Sequence, residues 1–247
     1  MDVSPRSFPH TGFLYDLAVV GAGLAGSELA FAAARAGLDV LLVTQSLDSV
    51  SNLYHATVEE SFPEGTLLET ARTQAGPGAN VWALHRAVKF LLEATPGIHL
   101  LQSLVVGLGP RPSPEGVRLE TWEGVPRGAK QVVLAVGSFL MGRVIIGNTE
   151  EHAGRLSEVA YDDLYQNLSA QGLEFDLLEQ VAPTLEGGLP YSVRFKTFAT
   201  SEVEGFKLKR LGSVYALGRC TGGEHTYSSV LLDAHNLLRT LQNKSTP

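Results

Sequence analysis

The run LYDLAVV (Leu14–Val20) is mostly apolar and β-prone, and it stops at Gly21, where the chain continues GAGLAG and then SELAFAAARAG. An apolar run of this length, closed by a turn signal, marks a strand buried on both faces. Ser27 to Ala36 is rich in alanine and leucine and closes on Gly37, which predicts a helix with a natural stop. Asp39 to Thr44 is the next buried strand. Together these predict a β-α-β unit of roughly 30 residues with a right-handed crossover. Gly21, Gly23 and Gly26 spell G-x-G-x-x-G in the context that gives the pattern meaning, directly after a strand and opening a helix. The first glycine permits the tight turn, the second lets a pyrophosphate approach the backbone, and the third lets helix pack on strand. With Ala22, Leu24 and Ala25 they make up the expected phosphate site, where exposed amides and the helix dipole favour negative charge.

The end of the second strand departs from this pattern. A nucleotide-binding unit usually places a carboxylate about 20 residues after the glycines to hold the adenosine ribose. Here the strand runs out as LLVTQSLD, with Thr44, Gln45 and Ser46 at that point. Thr44 and Gln45 offer neutral groups that can still hydrogen-bond ribose hydroxyls. The plainer alternative is that Thr44 merely ends a strand.

Further along, residues 46–77 carry glycines, prolines and weak periodicity, and predict loops with short helical pieces. Asn80 to Glu93 carries a helical stripe (Val81, Leu84, Val88, Leu91, Leu92) with Asn80 as a cap. Ile98–Val106, Val117–Trp122 and Lys130–Val136 read as strands separated by the turn clusters GPRPSPEG and EGVPRG, and resemble a β-meander feeding back into the main sheet. After Gly137 come a helix over Ala160–Gln171 and two alternating segments, YSVRFKTFA and FKLKRL. SVYALG then predicts another strand, RCTGGEHT a glycine-bearing turn, and Tyr227–Leu241 a closing helix. The expected organisation is a mobile tail over 1–12, a main domain over 13–141 and 211–244, and a small insert over 142–210 lying on it.

Two glycine returns discriminate among dinucleotides. VVLAVGSF brings Ala135, Val136 and Gly137 to a strand end after the meander, and VYALGRC brings Gly218, Arg219 and Cys220 to another before the last helix. A plain NAD-binding unit requires neither return, whereas two-dinucleotide flavoproteins pass FAD with such turns, so FAD is the expected cofactor. Val105, in the first strand of the expected meander, is counted with the cofactor contacts. The fold class expected is α/β: a glutathione-reductase-like FAD-binding Rossmann domain with a three-layer parallel sheet, a β-meander and a small inserted lobe.

Several motifs together resemble the GidA family. They are VVGAGLAGSELAFAAARAG, the Thr-Gln strand end in LLVTQSLD, GPGANVWA near residue 78, VVLAVGSFLMGRVIIG (132–147) with AGR at 153–155, and VYALGRCTGG. The resemblance spans most of residues 14–240 and implies FAD binding; full-length members modify the wobble uridine of certain tRNAs. Three departures limit what it implies. The stretch SVSNLYHATVEESFPEGT has no cysteine where full-length members have a cysteine-containing, glycine-rich segment, and Leu84-His85-Arg86-Ala87 stands in place of an Arg-Ala-Gln element. Their long helical C-terminal region, implicated in tRNA and partner binding, has no counterpart in this sequence. Cysteine-dependent tRNA chemistry therefore does not carry over.

Other constellations point to little chemistry. Cys220 is the sole cysteine, which excludes an intrachain disulfide and a thiolate cluster, and a structural role is expected for it ahead of a redox one. The seven histidines form no helical pair, so no metal site is expected. Glu59-Glu60 and Glu150-Glu151 read as solvated charge. Arg219, where GidA-like chains usually place glutamine, could donate to ribityl or phosphate oxygens or sit in a loop ion pair. Lys207 and Lys209 read as an edge-strand device, and His225, Thr226 and Tyr227 are the best candidates for meeting a substrate. A formal charge of −7, from 19 basic and 26 acidic residues, disfavours nucleic acid as a partner without excluding it. No stretch approaches the roughly 20 apolar residues of a membrane span, so a cytoplasmic setting is the default. The expected function is a small FAD-dependent oxidoreductase of unknown substrate, with a small molecule or protein as further partner. The alternatives are a non-catalytic FAD-binding module and an accessory role in tRNA modification.

Overall fold

The computed structural model describes residues 12–51, 61–112, 115–182 and 190–243. The expected tail (1–12, apart from Gly12) and Glu59-Glu60 lie outside them. Strand β1 (Leu14–Val20) leads into helix α1 (Leu24–Arg35) and then β2 (Val40–Thr44). Helices α2 (Leu67–Ala75) and α3 (Val81–Ala94) follow, then β3 (Ile98–Gln102). Both helices start where their sequences supply a cap: the Thr66 hydroxyl accepts from the Glu69 amide at 3.3 Å, and Asn80 Oδ1 accepts from the Ala83 amide at 2.9 Å. Helix α1 begins at Leu24 rather than Ser27, because the glycine turn itself supplies the helix entry and Gly23 is its N-cap.

The meander is β4 (Val105–Pro112), β5 (Glu115–Thr121) and β6 (Arg127–Leu134). Two expectations need correcting here. The run Ile98–Val106 is not one strand: β3 continues the parallel sheet beside β2, and β4 opens the meander. The prolines of GPRPSPEG are not confined to a turn, since β4 runs through Pro110 and Pro112. It can do so because β4 pairs only with β5, so its other edge makes no ladder for a proline to break.

Beyond the meander come β7 (Arg143–Ile146), β8 (Thr149–Glu151), β9 (Ala153–Arg155), β10 (Glu158–Val159), α4 (Asp162–Ala170), β11 (Phe175–Val181) and β12 (Ser192–Phe198). The chain closes with β13 (Val203–Glu204), β14 (Lys207–Leu208), β15 (Val214–Ala216) and α5 (Tyr227–Asn243). The main sheet has the order β13-β14-β15-β6-β1-β2-β3. From β15 to β3 every neighbour is parallel. Strand β6 belongs to both parts: its first residues pair antiparallel with β5, and its last with β15. A second sheet, β11-β12-β7-β8, is antiparallel throughout. Residues 142–210 thus supply this second sheet and also the β13–β14 hairpin, which is bonded to the main one.

The pleat of β1 explains the layering. Leu17 and Val19 pack with α1, α3 and α5 on one face, whereas Ala18 and Val20 pack with the meander, α4 and Phe198 on the other. All four are fully buried, which is why the strand reads as an unbroken apolar run rather than an alternating one. The parallel strands therefore present the turn Gly21–Gly23, the end of β2, and the residues after β6 and β15 along one edge. No helix among the described residues is long and apolar enough to cross a membrane.

Candidate dinucleotide site

A groove of about 1090 Å³, part of it open to solvent, runs along that edge. Its lining is drawn from several strand ends and the starts of α1 and α5, an extent that suits an elongated ligand better than an ion. Gly21, Ala22, Gly23, Leu24 and Ala25 line it together with Thr44 and Gln45, Ala135–Gly137, and Gly218 and Arg219. Twelve of the sixteen residues expected at the cofactor site are thus brought to one cavity, though they come from four separate stretches of chain.

The three fingerprint glycines are glycine for different reasons. Gly21 has φ +103°, and a Cβ there would collide with the Ala135 carbonyl oxygen. A Cβ on Gly26 would collide with the Gly21 carbonyl oxygen and would lie 3.1 Å from Val19 Cγ1, so this glycine serves helix–strand packing and does not line the groove. Gly23 is unlike both. It has ordinary backbone angles (φ −68°, ψ −171°), and a Cβ there would meet nothing within 4 Å. Protein packing gives no reason for its bare backbone; a group that must approach the helix entry closely gives one. No side chain caps α1, and its first turn holds no acidic residue, which suits the helix entry to an anion. A diphosphate therefore fits this turn.

The remaining four expected contacts comprise Gly26 and three residues that lie elsewhere. Val105 is 1% exposed in the layer between meander and sheet, because β4 turns its side chain inward. Ser46 organises the turn after β2: its carbonyl accepts from the Thr44 and Ser49 hydroxyls at 3.1 and 3.3 Å. Its own hydroxyl accepts from the Asp48 amide at 3.2 Å. Cys220 is fully buried, its thiol directed at the carbonyls of Leu134 and Leu217 at 3.3 and 3.4 Å. Burial pushes that thiol up to about 11, so it sits under the groove as a packing residue. Thr44 reaches the groove, but its hydroxyl is also engaged by its own turn, accepting from the Ser46 amide at 3.4 Å.

Leu217, His225, Thr226, Tyr227 and Val230 extend the lining to the start of α5. Thr226 and Ser229 cap each other there: the Ser229 hydroxyl accepts from the Thr226 amide at 3.0 Å, and the Thr226 hydroxyl from the Ser229 amide at 3.1 Å. His225 Nε2 lies 2.9 Å from the Gly222 carbonyl. Sequence reading missed another group: Ser49, Ser138, Phe139, Arg155, Glu158 and Tyr161. The β9–β10 hairpin brings Arg155 and Glu158 to the groove, and the junction that holds it is tight. The buried Ser138 hydroxyl donates to the Gly154 carbonyl at 2.7 Å, the Tyr161 amide donates to the Phe139 carbonyl at 2.8 Å, and a Cβ on Gly154 would collide with the Phe139 ring. The AGR motif was the available signal, but a three-residue pattern far along the chain does not say which cavity it faces. Among the described residues, no group of three or more His, Cys, Asp or Glu side chains is placed to hold a metal ion.

The parallel sheet, the meander entering it and the groove at its edge define a glutathione-reductase-like, FAD-binding type of Rossmann fold. The putative thioredoxin reductase TrxB of Bacillus anthracis shares that fold, with a TM-score of 0.54 at 13% identity over 94% of this chain and 98% of its own. The profile of the family described as glucose inhibited division protein A, GidA, matches residues 16–73 and 68–204, and the chain belongs to that family. The GidA-related protein from Thermus thermophilus is 38% identical, covers 94% of this chain with 100% of its own, and superposes with a TM-score of 0.83. Aquifex aeolicus GidA superposes at 0.71 over 96% of this chain and 65% of its own, with 13% identity. The tRNA uridine 5-carboxymethylaminomethyl modification enzyme MnmG of Chlamydia caviae is 31% identical over 210 residues, which is 72% of this chain and 34% of that enzyme. The chain thus spans about a third of the length of the curated relatives it matches.

Proposed function

We propose that this protein binds FAD along the groove and is a small FAD-dependent oxidoreductase. The observation that carries the reading is Gly23, whose missing side chain serves neither the backbone nor the packing of the protein and leaves the entry of α1 open. In this reading the first-turn amides of α1 hold the diphosphate, and the helix dipole adds to their attraction. Arg219, at the groove beside Gly218, donates to phosphate or ribityl oxygens. Gln45 hydrogen-bonds the adenosine ribose at the end of β2. Apolar residues, among them Ala135, Val136, Phe139, Leu217 and Val230, exclude water from the groove floor. The flavin, when bound, supplies the capacity to accept and pass on a hydride.

A second reading, a module that holds FAD without chemistry of its own, is favoured by Cys220. The sole thiol of the chain is fully buried, so it offers neither nucleophile nor electron relay at the groove. An accessory role in tRNA modification, suggested by what the MnmG relatives are named for, is disfavoured by the charge of −7. The test is an anaerobic titration of the FAD-loaded protein with NADH and with NADPH, followed by flavin absorbance. Rapid bleaching by either supports the oxidoreductase, and an unreactive bound flavin supports the module. Failure to take up FAD after refolding with it refutes both.

A further inference from the structure

The strand end that lacks its carboxylate leaves a chemical gap, and the tertiary structure offers one group to fill it. Along the chain the obvious substitute is Asp48, but its side chain is 95% exposed, is paired with Lys89 at 3.2 Å, and does not line the groove. Among the residues that do line it, Glu158 alone carries a carboxylate. It arrives from the distant β9–β10 hairpin and lies beside Ser49, in the loop that leaves β2. The carboxylate thereby stands beside the segment whose own sequence omitted one.

Three features show that this placement is built. The hairpin is locked to the residues after β6 by the Ser138–Gly154 and Phe139–Tyr161 bonds, so Glu158 has little freedom to swing away. Its turn holds Ser157 at φ +62°, a left-handed conformation that costs a non-glycine residue of order 1 kcal/mol or more and is retained where position matters. Finally, Glu158 has only 18% of its side chain exposed, and the Arg155 guanidinium stands 3.9 Å away. Burial accordingly raises its pKa, with Arg155 and Ser49 acting in the opposite direction. A carboxylate has roughly four acceptor sites, and a guanidinium 3.9 Å away leaves room for closer donors.

Resting on the FAD reading above, we infer that Glu158 is the carboxylate that accepts hydrogen bonds from the adenosine ribose hydroxyls, delivered from the β9–β10 hairpin in place of the acidic side chain missing after Thr44. The ligand chemistry it recognises is the vicinal diol of an adenine ribonucleotide. Glu158 thus sets specificity for the ribose rather than for the flavin.

The test compares wild type with Glu158→Gln, which keeps the size of the side chain and removes its charge. FAD affinity is measured by flavin fluorescence, and ADP and 2′,3′-dideoxy-ADP are then used as competitors. Wild type should prefer ADP by roughly 10-fold or more, the value of hydrogen bonds to a charged group. The variant should bind FAD weaker by a similar factor and treat the two competitors alike, while its melting temperature without ligand stays at the wild-type value. A variant that keeps the wild-type preference for ADP, or wild-type affinity for FAD, overturns the assignment while leaving the cofactor reading intact. A wild-type protein that takes up no FAD overturns the cofactor reading and this one with it.

Discussion

The three glycines of the fingerprint make separable predictions, and alanine at Gly23 is the most informative. At Gly21 an added Cβ meets the Ala135 carbonyl, whose carbon would lie 3.0 Å away, in a backbone conformation of φ +103°. Ala135 is itself held by its amide to the Val20 carbonyl at 2.8 Å, so neither partner can retreat without disturbing the β1–β6 ladder. A disallowed φ costs about 1–3 kcal/mol and overpacking about as much again, so Gly21→Ala should destabilise the fold by about 3–5 kcal/mol. Gly23→Ala meets nothing within 4 Å and keeps φ at −68°. The gain from a stiffer unfolded chain, about 0.4–1 kcal/mol, roughly offsets the poorer N-cap. Its melting temperature should therefore stay within a few degrees of wild type. The new methyl group nevertheless occupies the space through which, in the proposed FAD reading, a diphosphate reaches the α1 amides. Loss of one or two charge-assisted bonds, at about 1.5–3 kcal/mol each, predicts FAD binding weaker by at least about 10-fold. Thermal melting without ligand and FAD titration by fluorescence read the two quantities independently. If Gly23→Ala binds FAD as wild type does, the reason assigned to this glycine is wrong; if it melts as low as Gly21→Ala, its packing has been misjudged.

Gln45→Ala should weaken FAD binding by about 3- to 10-fold, the value of a neutral hydrogen bond, and unchanged affinity in the same titration would remove Gln45 from the site. Cys220, with its thiol pushed up to about 11, should resist iodoacetamide at about pH 8 in the folded protein and react readily in denaturant; rapid labelling of the native state, followed by mass spectrometry, would contradict its burial. Glu28 makes a pH prediction. It is fully buried between α1, α2 and α5, where its carboxylate accepts from the Leu67 amide at 2.9 Å and pairs with His235 Nε2 at 2.8 Å. Burial raises its pKa, with the His235 hydrogen bond as the chief opposing influence. The native state thus holds this proton more tightly than the unfolded chain. Its contribution to stability is complete below the ordinary carboxylate pKa and is lost as pH rises through the raised native value. In urea unfolding series between about pH 4 and 8, Glu28→Gln should lose this decline, and an unchanged pH dependence would rule Glu28 out as its source.

Much of the architecture is local enough to be read along the chain. LYDLAVV, the glycine turn and the alanine-rich helix each act over a few residues, so strand, turn and helix could be placed before any contact was known. Asn80 as a cap and the stripe of α3 are equally local. The division between β3 and β4 was not legible, because an apolar run carries no sign of where a chain changes its pairing partner. Strand β11 (FDLLEQV) was missed for a related reason: it lies at a sheet edge with Leu177 and Val181 exposed, so its apolar residues do not alternate cleanly.

The candidate site divides along the same line. The sequence by its own patterns specifies the glycine turn after β1, since a backbone that must turn sharply and remain bare can be built only with glycines at fixed spacing. It also shows that the strand end lacks a carboxylate. It could not show that Thr44 spends its hydroxyl on Ser46, that Val105 and Cys220 face the interior, or that Asp48 turns away to Lys89. Nor could it place Glu158 beside Ser49, because that meeting depends on the packing of Gly154 against Phe139 and on a hairpin contributed from far along the chain. Hydrophobic period and turn chemistry are properties of neighbouring residues, whereas the direction of a side chain into a shared cavity is settled only when separate segments pack.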